Sequence, residues 1–141
     1  MSHKSPQIAA RIERFRGGDV DPHFLGFLDC FNHGLYYEAH DVLEELWLAR
    51  RRQPEDGFYK GLIQLAGAFV HLQKGRLKPA GALFRLSTSY LTPYGPSHLR
   101  LDLCKVLALE QEWLGRLEAS GYTLNPLANS APPCLTLEAS C

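Results

Sequence analysis

The chain has 141 residues, with 15 basic and 15 acidic side chains, 45% hydrophobic and 21% charged residues. That length buries a core without disulfide or metal staples, and the even charge balance argues against both a disordered chain and a strongly basic nucleic-acid binder. No apolar run approaches the roughly 20 residues that cross a bilayer, the start from Met1 to Gln7 is polar, and Cys30, Cys104, Cys134 and Cys141 show no C-x-x-C spacing. These features predict a cytoplasmic protein with free thiols and with no nucleic-acid or membrane partner.

In chain order, Ile8, Ile12 and Phe15 lie at helical spacing between Gln7 and Arg16, before the breaker Gly17-Gly18. Asp21-Pro22 reads as an N-cap and first turn. Behind it, Phe24, Leu25, Phe27, Leu28 and Phe31 form an apolar stripe that ends near Gly34. A third helix is predicted from Leu35 to Arg51, with Ala39, Val42, Leu43, Leu46 and Trp47 inward and Arg50, Arg51 and Arg52 set against the negative end of its dipole.

Asp56 reads as the cap of a fourth helix, Phe58 to Lys74, the most apolar of the chain and stopped by Gly75. Its one polar stripe is Gly61, Gln64, Gly67, Ala68 and His71, where small residues allow a close helix approach. A fifth helix, Pro79 to Leu91, carries Ala82, Leu83, Leu86 and Tyr90 on its apolar side, with Ser87-Thr88-Ser89 read as surface. After a Pro-rich break, Asp102 caps a sixth that runs to Gly121 with Leu103, Val106, Leu107, Trp113, Leu114 and Leu117 in period. The prediction is an all-α fold, a compact single-domain bundle of about five or six helices. It spans residues 7–121, between a flexible N-terminus at 1–6 and an irregular, mobile tail at 122–141.

The densest run of chemically useful side chains is Phe31 to Trp47. His40 and Glu44 stand i,i+4 on one flank of the third helix, the spacing at which an imidazole and a carboxylate can share a divalent ion if other helices supply the remaining ligands. His71 on the fourth helix is the best additional ligand. Gln64 and His71 are seven residues apart, about 10.5 Å along a helix, so one ion cannot take both together with His40 and Glu44. The candidate metal set is therefore His40, Glu44 and His71 with water, and Gln64 would orient water or substrate.

Glu38 points roughly 160° from His40 on the helical wheel, so it either caps the first turn by reaching back to a free N–H or serves the polar site as a carboxylate. Asp41 and Glu45 form a second i,i+4 pair, read as a solvated acidic face, and Asn32, Tyr36, Tyr37 and Asp41 could extend a polar site. His3, His23, His33 and His98 have no partner at useful spacing. The opposing reading of Gln64 and His71 is a hydrogen-bond network that holds helices in register.

The segment Phe31-Asn32-x-Gly34-x-Tyr36-x-Glu38-Ala39-His40-Asp41-x-Leu43-Glu44-x-x-Trp47, followed by Gly61-Leu62-Ile63-Gln64-x-Ala66 and His71, resembles the bacterial and archaeal domain-of-unknown-function 309 family, often labelled "predicted metal-dependent hydrolase". The resemblance covers roughly residues 24–117 and implies a compact all-helical bundle; within a hydrolase, Glu38, Glu44 and Gln64 are the candidate catalytic side chains. Asp41 stands where the family more usually has glutamate, and Arg76 where asparagine is common. Two classes of function follow. One is a metal-dependent hydrolase acting on a small-molecule substrate; the other is a non-catalytic helical module whose outer face binds a partner or a second copy of the chain.

Overall fold

The computed structural model describes residues 6–18 and 20–138. They form α1 (Pro6–Glu13), α2 (Pro22–Asn32), α3 (Tyr36–Ala49), α4 (Asp56–Gln73) and α5 (Leu77–Leu91). A 3-10 turn (Thr92–Tyr94) and a hairpin of β1 (Ser97–His98) and β2 (Leu101–Asp102) lead into α6 (Leu103–Ala119) and a short α7 (Pro126–Asn129). The helical architecture expected from periodicity is observed, with the short hairpin as an unexpected addition, and no described helix is long and apolar enough to cross a membrane.

Local chemistry explains the boundaries. The Asp21 side chain accepts from the His23 N–H at the start of α2, Asp102 does the same for the Lys105 N–H at the start of α6, and Pro22 sits where no helical donor is lost. Gly34 and Gly75 stop α2 and α4 at φ of +75° and +71°, a backbone region that side chains with a Cβ rarely enter. Asp56 is not the cap expected of it. Its carboxylate instead accepts from the Trp47 indole at 2.6 Å and the Arg52 N–H at 2.9 Å, which closes the α3–α4 loop and holds the Asp56 pKa below its ordinary value, the Arg52 bond acting most strongly.

Helices adjacent in sequence pack on one another, and α4 lies between α3 and α5. One aromatic chain ties the layers together: Phe31 of α2 meets Tyr36 of α3 at 5.1 Å between ring centroids, Tyr36 stacks on Phe69 of α4 at 5.0 Å, and Phe69 meets Phe84 and Trp113 at 5.4 and 4.9 Å. Edge-to-face and offset contacts of this kind add to what area burial contributes.

Two helices turn their inward faces differently from the expectation. On α5 the buried positions are Ala80, Gly81, Phe84, Ser87 and Leu91, while Leu86 is 40% exposed. On α6 they are Leu103, Val106, Glu110, Trp113 and Leu117. Both patterns are regular helical periods that pass through a polar residue. Ser87 is fully buried because its hydroxyl donates to the Gly61 carbonyl at 2.7 Å, and Gly81 lies under the Tyr122 ring.

Residues 122–138 are not loose. Leu135 is buried, Asn125 donates to the Leu72 carbonyl at 2.6 Å, and Leu137 bridges to Leu101. Cys30, Cys104 and Cys134 are free thiols, with Cys30 buried; Met1–Ser5, Asp19 and 139–141, and with them His3 and Cys141, lie outside the described residues.

Candidate functional site

Between α3, α4 and α5 lies an open groove of about 200 Å³, lined by Tyr37 and His40 from α3, by Gln64, Gly67 and His71 among others from α4, and by Leu83 from α5. The helical register places them. Gln64, Gly67 and His71 follow the i, i+3, i+7 stripe on α4, and His40 stands one turn from Tyr37 on α3. Gly67 keeps the floor low, because a Cβ there would lie 3.0 Å from Leu83 Cδ1. The two imidazoles expected to share a hollow do line one.

The polar groups of this groove are short of partners. His71 Nδ1 is buried with no hydrogen-bond partner, and among the described residues the Gln64 side chain makes no hydrogen bond. Burial pushes the His71 pKa below its ordinary 6.5, and the nearby charges of Arg76 and Lys74 push it the same way, which favours the uncharged imidazole. His40 Nδ1 lies 3.4 Å from Asp41 Oδ1, and the exposed Tyr37 ring stacks alongside His40 with 21° between planes.

The remaining candidates lie elsewhere. Glu44 and Asp41 are half-buried on α3 and are not among the groove's lining side chains. Among the described residues, no group of three or more His, Cys, Asp or Glu side chains is arranged to hold a metal ion, and Glu44 does not join His40 and His71 in lining the groove.

Glu38 does not line the groove, nor does it cap α3. The N–H that a capping box would satisfy, that of Leu35, already donates to the Cys30 carbonyl at 2.9 Å. Tyr36 belongs to the core, 2% exposed within the aromatic chain; its hydroxyl is unpartnered, and burial pushes its pKa up to about 12. Asn32 is committed to the C-terminal segment, donating to the Leu135 carbonyl and accepting from the Leu135 N–H, both at 2.7 Å.

The bonds that hold helices in register are made by residues other than Gln64 and His71: Ser87 to Gly61, Thr88 to Glu110, Gln73 to Gly34 and Asn125 to Leu72. The acidic face expected at Glu45 is in part tied down, since His23 Nε2 lies within hydrogen-bond distance of Glu45 Oε2 at 3.1 Å. His98 packs against Phe58 with 4.5 Å between ring centroids, and burial lowers its pKa.

The group that sequence reading missed is Glu110. It is 1% exposed, with Oε2 3.4 Å from Thr88 Oγ1 and Oε1 unpartnered, and desolvation raises its pKa to about 8 against the opposing hydroxyls of Ser87 and Thr88. Its signal was present in the sequence: Leu103, Val106, Glu110, Trp113 and Leu117 keep one helical period, and the fifth helix offers Ser87 in phase with Ala80, Phe84 and Leu91.

In comparison with known proteins, residues 24–83 match the family model described as "Domain of unknown function (DUF309)". These residues run from α2 into α5 and include every side chain named for the groove. No curated protein and no solved structure matches the chain.

Proposed function

Residues 24–83 belong to the DUF309 family, and from that premise we propose that the α3–α4–α5 groove takes a small polar substrate on which His71 acts as the base of a hydrolytic reaction. The observation that carries this reading is the convergence of His40, Gln64 and His71, from two helices, on one opening with their polar groups largely unspent on internal bonds. Most buried polar groups are hydrogen-bonded, because an unbonded one costs about 1–3 kcal/mol; in the groove His71 Nδ1 lacks that compensation, and the half-buried Gln64 amide makes no bond within the protein.

The chemistry uses side chains alone. An uncharged imidazole accepts a proton from water, the water oxygen bonds to the acyl carbon of an ester or amide, and the proton returns to the leaving oxygen or nitrogen as its bond to that carbon breaks. The Gln64 amide N–H groups would donate to the oxyanion, and the stacked Tyr37–His40 pair would close one wall of the groove. The second reading, a register network, is disfavoured because, among the described residues, the Gln64 and His71 side chains make no helix-to-helix bond.

The test compares wild type with His71→Gln on a panel of small activated esters and amides, beside thermal melts of both. The expected result is a loss of at least about 100-fold in kcat/KM, the usual share of a general base, with Tm nearly unchanged. Equal rates in the two proteins, a collapse of Tm without any turnover by wild type, or a panel that gives no turnover and no chemical-shift change at His40, Gln64 or His71 would overturn the reading.

A further inference from the structure

The C-terminal segment is held the way a separate peptide is held. Asn32, at the end of α2, donates to the Leu135 carbonyl and accepts from the Leu135 N–H, both at 2.7 Å, so one side-chain amide satisfies both backbone groups of a single extended residue. Beyond it, Leu137 bridges to Leu101 of β2, the Glu138 N–H donates to the Arg100 carbonyl at 2.6 Å, and Arg100 Nε donates back to the Glu138 carbonyl at 2.9 Å. The Ser97 hydroxyl donates to Glu138 Oε1 at 2.5 Å. The segment thus adds itself to the hairpin edge while Leu135, 4% exposed, is the apolar anchor.

The connection to this segment is made differently. Among the described residues no hydrogen bond holds 131–134, and Ala131 and Pro132 are exposed in the sequence Ala131-Pro132-Pro133. Between Cys134–Thr136 and the side chains of Asp102, Lys105 and Leu109, a hollow of about 100 Å³ remains unfilled. The docked residues are thus held by bonds to α2 and the hairpin, whereas the described residues that tether them, 131–134, make none.

We propose that this cleft is an exchange site, in which residues 135–138 of a second copy of the chain replace the resident segment and contribute Leu135, Leu137 and Glu138 to it. The sequence shown to suit the cleft is the chain's own, and another copy carries it. An unbonded, proline-containing connector is also the element that lets a terminal segment leave one body and enter another without disturbing either core.

The test is complementation between two full-length variants. Leu135→Asp keeps the cleft and spoils the segment, whereas Asn32→Ala keeps the segment and spoils the cleft. Mixed, they are expected to form a one-to-one heterodimer by size exclusion with light scattering, and the Leu135→Asp chain is expected to regain thermal stability. A labelled peptide of residues 131–138 should bind Leu135→Asp saturably, and at least about tenfold more weakly once Asn32→Ala is added. Two folded variants that stay monomeric when mixed would overturn the proposal, even if the peptide binds, because the occupant would then not be a second copy. If Leu135→Asp alone does not fold, the peptide should restore its helical circular dichroism, and failure to do so overturns the proposal as well.

Discussion

The α3–α4–α5 groove and the α5–α6 interface both place polar side chains against apolar helices, yet they treat them in opposite ways. At the interface Ser87 is fully buried and spends its hydroxyl on the Gly61 carbonyl, and Glu110 is held beside Thr88 at 1% exposure. In the groove Gln64 and His71 are half-buried at an opening, and the hydrogen-bonding capacity noted above is unspent. Glu110 Oε1 is unpartnered like His71 Nδ1, so what separates the two regions is access: the interface encloses its polar side chains, whereas Gln64 and His71 border open volume.

The largest effect is expected where the two regions share a backbone. At Gly61 of α4 a Cβ would lie 2.6 Å from Leu91 Cδ2 and 3.1 Å from Tyr90 Cβ, both on α5, with Leu91 itself fully buried. Gly61→Ala should therefore cost about 2–3 kcal/mol by overpacking, read by urea denaturation, and loss of the Ser87 bond would add to it.

Glu110 gives the comparison a pH axis. Its folded pKa, about 8, lies above its ordinary 4.5, so the folded protein binds more protons than the unfolded chain between these values. Stability from this group is fully present below the ordinary value and is lost as pH rises through the folded one. Wild-type Tm should fall by about 5 °C or more across that window, and Glu110→Gln should flatten the slope. A slope unchanged in Glu110→Gln would assign the dependence to another group.

The sharpest contrast pairs two single substitutions. Ser87→Ala leaves a buried carbonyl without its second partner and should cost about 1–2 kcal/mol, whereas Gln64→Leu breaks no internal bond and should change stability by less than about 0.5 kcal/mol. Equal costs would erase the distinction between the two regions.

The one stabilising change expected is at Arg76. It occupies the N-cap of α5 without a side-chain cap bond, and its charge is one of the causes that lower the His71 pKa. Arg76→Asn should stabilise the chain by about 1 kcal/mol by supplying an acceptor to the first turn, and should raise the His71 pKa as measured by NMR titration.

Much of this architecture was legible beforehand because helix formation is local. The apolar periods, the Asp21-Pro22 and Asp102 starts, and the stops at Gly34 and Gly75 each depend on residues within one or two turns. The pairing of His40 with Gln64 and His71 was legible for a related reason: each lies on the polar border of an amphipathic helix, and consecutive helices joined by a short loop pack together. Reading apolar residues by type alone, however, placed the inward face of α5 on Leu83 and Leu86. The true face includes Ser87, which is tolerated inside because a carbonyl of another helix meets it.

Composition and period alone determined that this chain is helical, where most helices start and stop, and which polar stripe α4 presents. Tertiary structure decided that Asn32 clamps residue 135, that Leu35 needs no carboxylate from Glu38, that Glu44 stands off the groove, and that Glu110 is enclosed. The physical reason is distance along the chain. A cap or an apolar period is settled by neighbours a turn away, whereas a buried polar group is made affordable or left wanting by atoms tens of residues distant, and only the packed helices bring those atoms near.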